Sequence, residues 1–170
     1  MQLQTKRFGT IEVDEDSALE VPNGIPGFPD MHRVVLMSAA AVTGHADDPS
    51  DQSLYWLQDL DDGGLAFLCV VPWVPFPEYD FEFTSEDYGI DDEADVRILN
   101  LITAHRDEAG SSLTANLRAP LLVDVRRQRL HQVILSDTRW PISAPLPGGA
   151  GTRASSVAAP YAASRAAEVR

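Results

Sequence analysis

The sequence predicts an all-β protein: a single antiparallel, barrel-like domain with short helical turns. Apolar segments of strand length recur along the 170 residues, and clusters of Gly, Pro, Asn and Asp separate them. No long stretch has the 3.6-residue period of an amphipathic helix. A chain of this length suits one domain with a substantial core. We therefore expect a β-barrel or β-sandwich.

The first segments predict a hairpin followed by an irregular bend. Residues 5–8 and 11–14 lie on either side of Gly9, which supplies the turn. A further strand is expected at residues 18–21. Residues 22–29, which we call the elbow, hold three prolines and two glycines. That is too many breakers for a helix or a strand.

The middle of the chain predicts three strands, at residues 33–37, 54–58 and 65–71. Between the first two, residues 39–52 predict a loop. The last two read as a pair joined by a turn at residues 59–64.

Residues 78–95, the acidic segment, carry nine acidic side chains and neither Lys nor Arg. Acidic and aromatic residues alternate strictly at its start, and successive side chains of a β-strand point to opposite faces. One face would hold Tyr79, Phe81 and Phe83, and the other Glu78, Asp80 and Glu82. We expect a folded strand whose aromatic face meets the core and whose acidic face meets water or a basic partner.

A short helix is expected next, because Thr84 or Ser85 could cap it and Gly89 limits it to a turn or two. Long strands are then predicted at residues 96–105, 113–125 and 129–135, with a hairpin turn at 126–128. The composition changes after these strands. We predict a folded domain at residues 1–145 and a disordered tail, rich in Ala, Gly and Ser, at residues 146–170.

The charge distribution indicates a class of partner. The net charge is -13, and residues 1–145 hold 25 of the 26 acidic residues but only 10 of the 13 basic ones, a net of -15. Such a domain should repel nucleic acid and membrane surfaces, so we expect no direct binding to either. It should attract basic proteins. The alternative, that an acidic surface simply keeps the protein soluble, stays open.

Several features bear on the compartment. The N-terminus lacks the apolar stretch of a signal peptide. No run reaches the roughly 18–20 apolar residues of a membrane helix. The single cysteine, Cys69, excludes an internal disulfide and is expected to pack as a small hydrophobe. We expect a cytoplasmic protein.

Motifs for catalysis, metals and cofactors are lacking. The four histidines stand at no metal-ligand spacing, and neither a nucleophile elbow nor a phosphate-binding glycine loop occurs. Asp59, Asp61 and Asp62 lack the oxygen spacing of an EF-hand and predict a solvated turn. Paired carboxylates could serve a glycoside hydrolase, but such pairs are common. We predict no catalytic residue, no cofactor and no metal.

An ordered set of segments resembles one family. The segments are residues 5–13, 21–28, 55–58, 65–67, 72–81 and 114–122. The most specific are Gly24-Ile25-Pro26-Gly27-Phe28 and Thr114-Ala115-Asn116-Leu117-Arg118-Ala119-Pro120. Together they resemble the bacterial flagellar assembly factor FliW over roughly residues 3–141. Two parts depart from the family: the loop at 39–52, which is longer, and the tail.

The resemblance implies regulation rather than catalysis. FliW-like proteins are largely β-barrel proteins that bind cytoplasmic flagellin. They also bind the translational regulator CsrA, a small basic RNA-binding dimer, and hold it off the flagellin transcript. Flagellin that accumulates captures the FliW-like protein and releases CsrA, so flagellin translation falls until secretion resets the switch.

Combining charge and resemblance gives the predicted partner-binding residues. In the acidic segment they are Asp80, Glu82, Phe83, Glu86 and Asp87. In the elbow they are Gly24, Ile25, Pro26, Gly27 and Phe28, although the glycines and prolines could simply shape the bend while Phe28 plugs the core. Asn116 is a further candidate, although it could simply satisfy backbone groups near Pro120.

Two other functions remain open at this point. One is an acidic decoy that imitates nucleic acid towards another basic protein. The other is a small carbohydrate-active enzyme, which requires carboxylates roughly 5–9.5 Å apart in a cleft.

Overall fold

The computed structural model describes residues 1–43, 53–108 and 110–147. Within those ranges the regular secondary structure is mostly β-strand, which confirms the predicted all-β class. The strands are β1 (Gln2–Thr5), β2 (Gly9–Glu12), β3 (Leu19–Glu20), β4 (Arg33–Ser38), β5 (Leu54–Asp59), β6 (Ala66–Val70), β7 (Val96–Asp107), β8 (Gly110–Ala115), β9 (Leu121–Asp124), β10 (Arg129–Gln132) and β11 (Ala144–Pro145). A short helix, α1 (Ala39–Thr43), and 3₁₀ turns at Glu15–Ser17, Ser85–Tyr88 and Glu93–Asp95 complete the described elements.

The predicted N-terminal hairpin is present, but its first strand lies earlier than expected. β1 pairs antiparallel with β2, from Gln2 opposite Glu12 to Thr5 opposite Gly9. The Thr5 hydroxyl accepts from the Phe8 amide at 2.9 Å and donates to the Gly9 carbonyl at 2.8 Å. These bonds end the strand at Thr5, so residues 6–8 form the turn rather than a strand.

Seven of the nine remaining strands close into a ring. Neighbouring strands pair in the order β7, β6, β5, β4, β3, β10 and β9, and β9 pairs back onto β7. The pairing of β3 with β10 is parallel, whereas the other pairings between the described strands are antiparallel, as predicted. β8 and β11 stand outside the ring, because β8 pairs with the C-terminal half of β7 and β11 pairs with β8.

Two further predicted elements differ in the structure, and a third lies largely outside the described residues. The strand expected at residues 113–125 is two strands, because the Asn116 side chain accepts from the backbone amides of Arg118 and Ala119 and bends the chain. The loop expected at 39–52 begins with α1, and residues 44–52 lie outside the described residues. The predicted disorder of the tail concerns residues that, beyond position 147, also lie outside them.

The barrel has an apolar interior and a partly apolar exterior. The largest core cluster takes residues from every strand of the ring, and on β6, β7 and β9 its members alternate with residues of two other clusters, so on these strands it marks the interior face. On β9, Leu121 and Val123 belong to this cluster, whereas Leu122 between them belongs to another. Leu122 therefore points outwards, although it is fully buried. Something must cover it.

Cys69 lies inside the barrel with no exposed surface. Burial raises the pKa of its thiol, because a thiolate would lose its hydration there. The prediction that Cys69 packs as a small hydrophobe is confirmed.

The turn between β5 and β6 packs closely against the backbone of the N-terminal hairpin. The Lys6 amide donates to the Gly63 carbonyl at 2.9 Å, and a Cβ at Gly63 would overlap the Gln4 carbonyl oxygen. Gly63→Ala should therefore lower the free energy of unfolding by roughly 1–3 kcal/mol, measured by urea denaturation. Gly64→Ala is the control, since its Cβ would meet only side-chain atoms, and a loss equal to that of Gly63→Ala would contradict this packing.

Candidate partner-binding surface

The start of the acidic segment has no regular secondary structure at residues 79–83, so the prediction of a strand there is wrong. The predicted alternation nevertheless holds. Tyr79 is 2% exposed and Phe81 and Phe83 are half-buried, whereas Glu78, Asp80 and Glu82 are exposed. An extended backbone keeps its two-residue alternation whether or not a neighbouring strand is present.

The aromatic face of this segment covers the outside of the barrel. Tyr79 packs in a cluster with Val70 and Ile102, and Phe81 packs against the same cluster. Phe81 and Phe83 also pack against the cluster that holds Leu122. The segment therefore covers the outward-facing apolar residues together with Trp73 and Trp140, which pack against the same two clusters.

Two side chains donate hydrogen bonds to backbone carbonyls of the acidic segment, as a neighbouring strand would do. The Trp73 indole donates to the Tyr79 carbonyl at 2.8 Å, and the Trp140 indole donates to the Asp80 carbonyl at 2.7 Å. These two successive carbonyls would otherwise need water or a strand partner. The indoles fix the course of the segment at the point where the acidic residues begin.

The buried side chain of Tyr79 fixes the acidic segment to the barrel. Its hydroxyl donates to the Leu117 carbonyl at 2.8 Å and lies 3.4 Å from the Asn100 amide nitrogen. Burial raises the pKa of Tyr79 to about 12, and the hydrogen bond from Asn100 offsets part of that shift. The phenol therefore keeps its proton at physiological pH and donates it to the carbonyl.

The predicted short helix is a single 3₁₀ turn, Ser85–Tyr88, which ends at Gly89. Neither predicted cap acts as one, since Thr84 makes no side-chain capping bond and the Ser85 hydroxyl donates to Glu93 at 2.6 Å. The Tyr88 ring lies 5.4 Å from the His131 ring of β10. Burial lowers the pKa of His131, which favours the neutral ring in this contact.

The nine acidic residues fall into two groups. At the C-terminal end, Asp91 pairs with Arg127 at 2.5 Å and Asp95 with Arg126 at 3.9 Å. Asp92 accepts from the Ala94 amide, and Glu93 accepts from Ser85. The other group is exposed and forms no ion pair with any cation of the described residues: Glu78, Asp80, Glu82, Glu86 and Asp87. We call these five the acidic face.

The acidic face contains all four carboxylates that the sequence singled out. Phe83, the fifth residue predicted in this segment, is half-buried and belongs to the aromatic face instead. The sequence offered no signal for the ion pairs of Asp91 and Asp95, because their arginines lie more than 30 residues further along the chain.

The elbow has a buried part and an exposed part. A Cβ at Gly24 would lie 2.6 Å from the Pro29 carbonyl oxygen, and φ there is 64°. Ile25 is 2% exposed and pairs with Phe28 in an isolated bridge. These two residues build the bend, and the positive φ of Gly24 is what the structural alternative predicted for the glycines.

Phe28 does not plug the core, which corrects that part of the prediction. It is 38% exposed and packs edge-on against Phe67 of β6 at 4.8 Å. Pro26 and Gly27 are also exposed. Ile25 of the elbow belongs to the largest cluster, whereas the acidic segment packs on the two other clusters. The predicted residues therefore divide between two environments.

Asn116 is half-buried and uses its side-chain oxygen to shape the turn after β8. Two residues that the sequence did not single out follow from this turn. The Arg118 guanidinium donates to the Trp140 carbonyl at 2.7 Å, and Trp140 in turn donates to Asp80. No sequence pattern connects these distant positions.

The described residues include no group of three or more His, Cys, Asp or Glu side chains placed to hold a metal ion. Asp59, Asp61 and Asp62 instead form a turn in which the Asp59 carboxylate accepts from the amides of the other two.

Over the same described ranges, no helix has both the length and the apolar character needed to span a bilayer.

Comparison with known proteins gives consistent results. The family described as FliW protein matches residues 2–146. A flagellar assembly factor FliW from Alkaliphilus metalliredigens is 33% identical over 138 residues, which cover 79% of each chain. One from Heliobacterium modesticaldum is 32% identical over 158 residues, covering 91% of this chain and 96% of the relative. A crystal structure of the flagellar assembly factor FliW matches with a TM-score of 0.70 at 28% identity, covering 85% of this chain and 96% of that one.

The Tyr79 hydroxyl is the first point to test on this surface. Tyr79→Phe keeps the ring but leaves the Leu117 carbonyl without its donor, so the free energy of unfolding should fall by about 1–3 kcal/mol in urea denaturation. Tyr88→Phe is the matched control, since the Tyr88 hydroxyl makes no hydrogen bond within the described residues. Equal losses in the two variants would contradict the anchoring role.

Proposed function

Because this chain belongs to the FliW family of flagellar assembly factors, we propose that it is a non-enzymatic, cytoplasmic regulator that binds flagellin and antagonises CsrA. In this role it couples flagellin translation to flagellin secretion. The acidic face carries the proposal: five exposed carboxylates stand on a segment whose other side is packed onto the barrel.

The proposed contact with CsrA rests on charge complementarity. A protein that binds RNA needs a basic surface to meet phosphates. The folded part of this chain, with a net charge of -15 over residues 1–145, should draw such a surface towards it. Charge complementarity of this kind raises the association rate more than the final affinity. The acidic face offers the partner carboxylates that no intramolecular arginine occupies within the described residues.

The elbow is the second proposed contact. Its exposed residues, Pro26, Gly27 and Phe28, stand on a bend that Gly24 and Ile25 hold rigid. A rigid exposed loop loses little conformational entropy when a partner binds. We assign it to protein recognition without assigning it to one of the two partners.

Reversing two charges of the acidic face tests the CsrA contact. The double variant Asp80→Lys, Glu82→Lys should slow association with purified CsrA by about tenfold or more at low salt and flatten its salt dependence. Surface plasmon resonance over a salt series measures both effects.

A charge-matched control separates the acidic face from net charge. Glu12→Lys with Glu108→Lys changes the net charge by the same amount at two exposed positions outside the acidic segment. That control should retain most of the association rate. If the two double variants bind CsrA alike at every salt concentration, the acidic face is not the contact.

Competition between the two partners tests the switch itself. Purified protein that is first saturated with flagellin should release CsrA or fail to capture it, and titration by size-exclusion chromatography or calorimetry shows which complexes form. A stable ternary complex in which CsrA still cannot bind its transcript would contradict release by competition.

A further inference from the structure

The sequence motif around Asn116 has a structural link to the acidic face. Asn116 bends the chain so that the Arg118 guanidinium reaches the loop before β11. There it donates to the Trp140 carbonyl at 2.7 Å and to the Thr138 carbonyl at 3.3 Å. The same loop is tightened from within, because Asp137 accepts from the backbone and side chain of Arg139.

The loop held in this way presents one side chain to the acidic segment. The Trp140 indole donates to the Asp80 carbonyl at 2.7 Å, and its ring packs edge-on against Tyr79 at 4.9 Å. The Arg139 guanidinium lies over the indole, 5.6 Å from the ring centroid. Trp140 therefore joins two parts of the chain that are 60 residues apart in sequence.

We infer that Trp140 is a positioning residue for the acidic face, and that Arg118 supports it. The inference rests on the proposed function. The start of the acidic segment pairs with no strand of the described structure. The indole bond to Asp80 sets the orientation of the peptide that leads into Phe81 and Glu82, and so the direction of the carboxylates on either side.

If Trp140 positions the acidic face, its loss should change the dissociation rate of CsrA and leave the association rate unchanged. Long-range attraction depends on the number of charges and governs the association rate. A loss of order in the segment leaves those charges in place, so association is unchanged. Dissociation becomes faster, because the partner must order the carboxylates when it binds them.

The test variant is Trp140→Phe, which keeps an aromatic ring and removes the N–H. Dissociation of CsrA should become about three- to tenfold faster, the effect expected from losing one hydrogen bond. The association rate and its salt dependence should match the unmodified protein. Arg118→Ala should give the same signature, and the double variant should be no worse than either single one.

A matched control is Trp56→Phe, because Trp56 packs against Phe8 of the N-terminal turn, and that ring contact involves no residue of the acidic segment. It should lower the melting temperature without changing dissociation. A second readout needs no partner: amide hydrogen exchange at Phe81, Glu82 and Phe83 should speed up in Trp140→Phe and not in Trp56→Phe.

The outcomes separate this inference from the proposed function. If reversing Asp80 and Glu82 changes association while Trp140→Phe alters neither dissociation nor amide exchange, the positioning role is wrong and the acidic contact stands. If amide exchange rises in Trp140→Phe while no acidic-face variant affects CsrA, the positioning role stands and the assignment of the partner is wrong. Slower association in Trp140→Phe would also overturn the kinetic inference.

Discussion

The outer surface of the barrel imposes the constraint on which the rest of the structure depends. β7 and β9 are apolar on both faces, so closing the ring buries Leu99 and Leu121 inside and leaves Ile98 and Leu122 pointing outwards. Fully exposing a large aliphatic side chain costs about 1.5–3 kcal/mol. The aromatic side of the acidic segment removes that cost. A segment with alternating residues then has its acidic side exposed as a direct consequence.

This cover is attached in a way that a further strand would not be. A strand would satisfy its backbone groups along a ladder and would be fixed in register. Here two indoles and a tyrosine hydroxyl make the attachment at a few points. The cover is consequently sensitive to single side chains, some of them far away in sequence. That sensitivity links the turn after β8 to the acidic residues.

Local patterns in the sequence predicted the strands, the hairpin and the alternating burial of the acidic segment, because each depends on neighbouring residues. The pairing partners were not accessible in the same way. Residues 78–83 have the alternation of a strand, yet whether they pair is decided by the rest of the barrel. The break at Asn116 and the ion pairs of Asp91 and Asp95 likewise depend on side chains meeting across a folded structure. The family resemblance supplied the functional expectation that charge alone left open.

The division of the nine acidic residues has an electrostatic reason. Two carboxylates about 7 Å apart in water repel by only about 0.6 kcal/mol, so an extended row of them is tolerable at a surface. The arginines are placed at the C-terminal end of the segment, where Asp91 and Asp95 tie it to the turn after β9. The beginning is tied by uncharged groups instead. Since anchoring there uses indoles and a phenol, the carboxylates form no ion pair within the described structure, although the charge of Asp80 attracts Arg139, whose own ion pair is with Asp137. A basic partner can then pair with them without first breaking a bond that holds the fold.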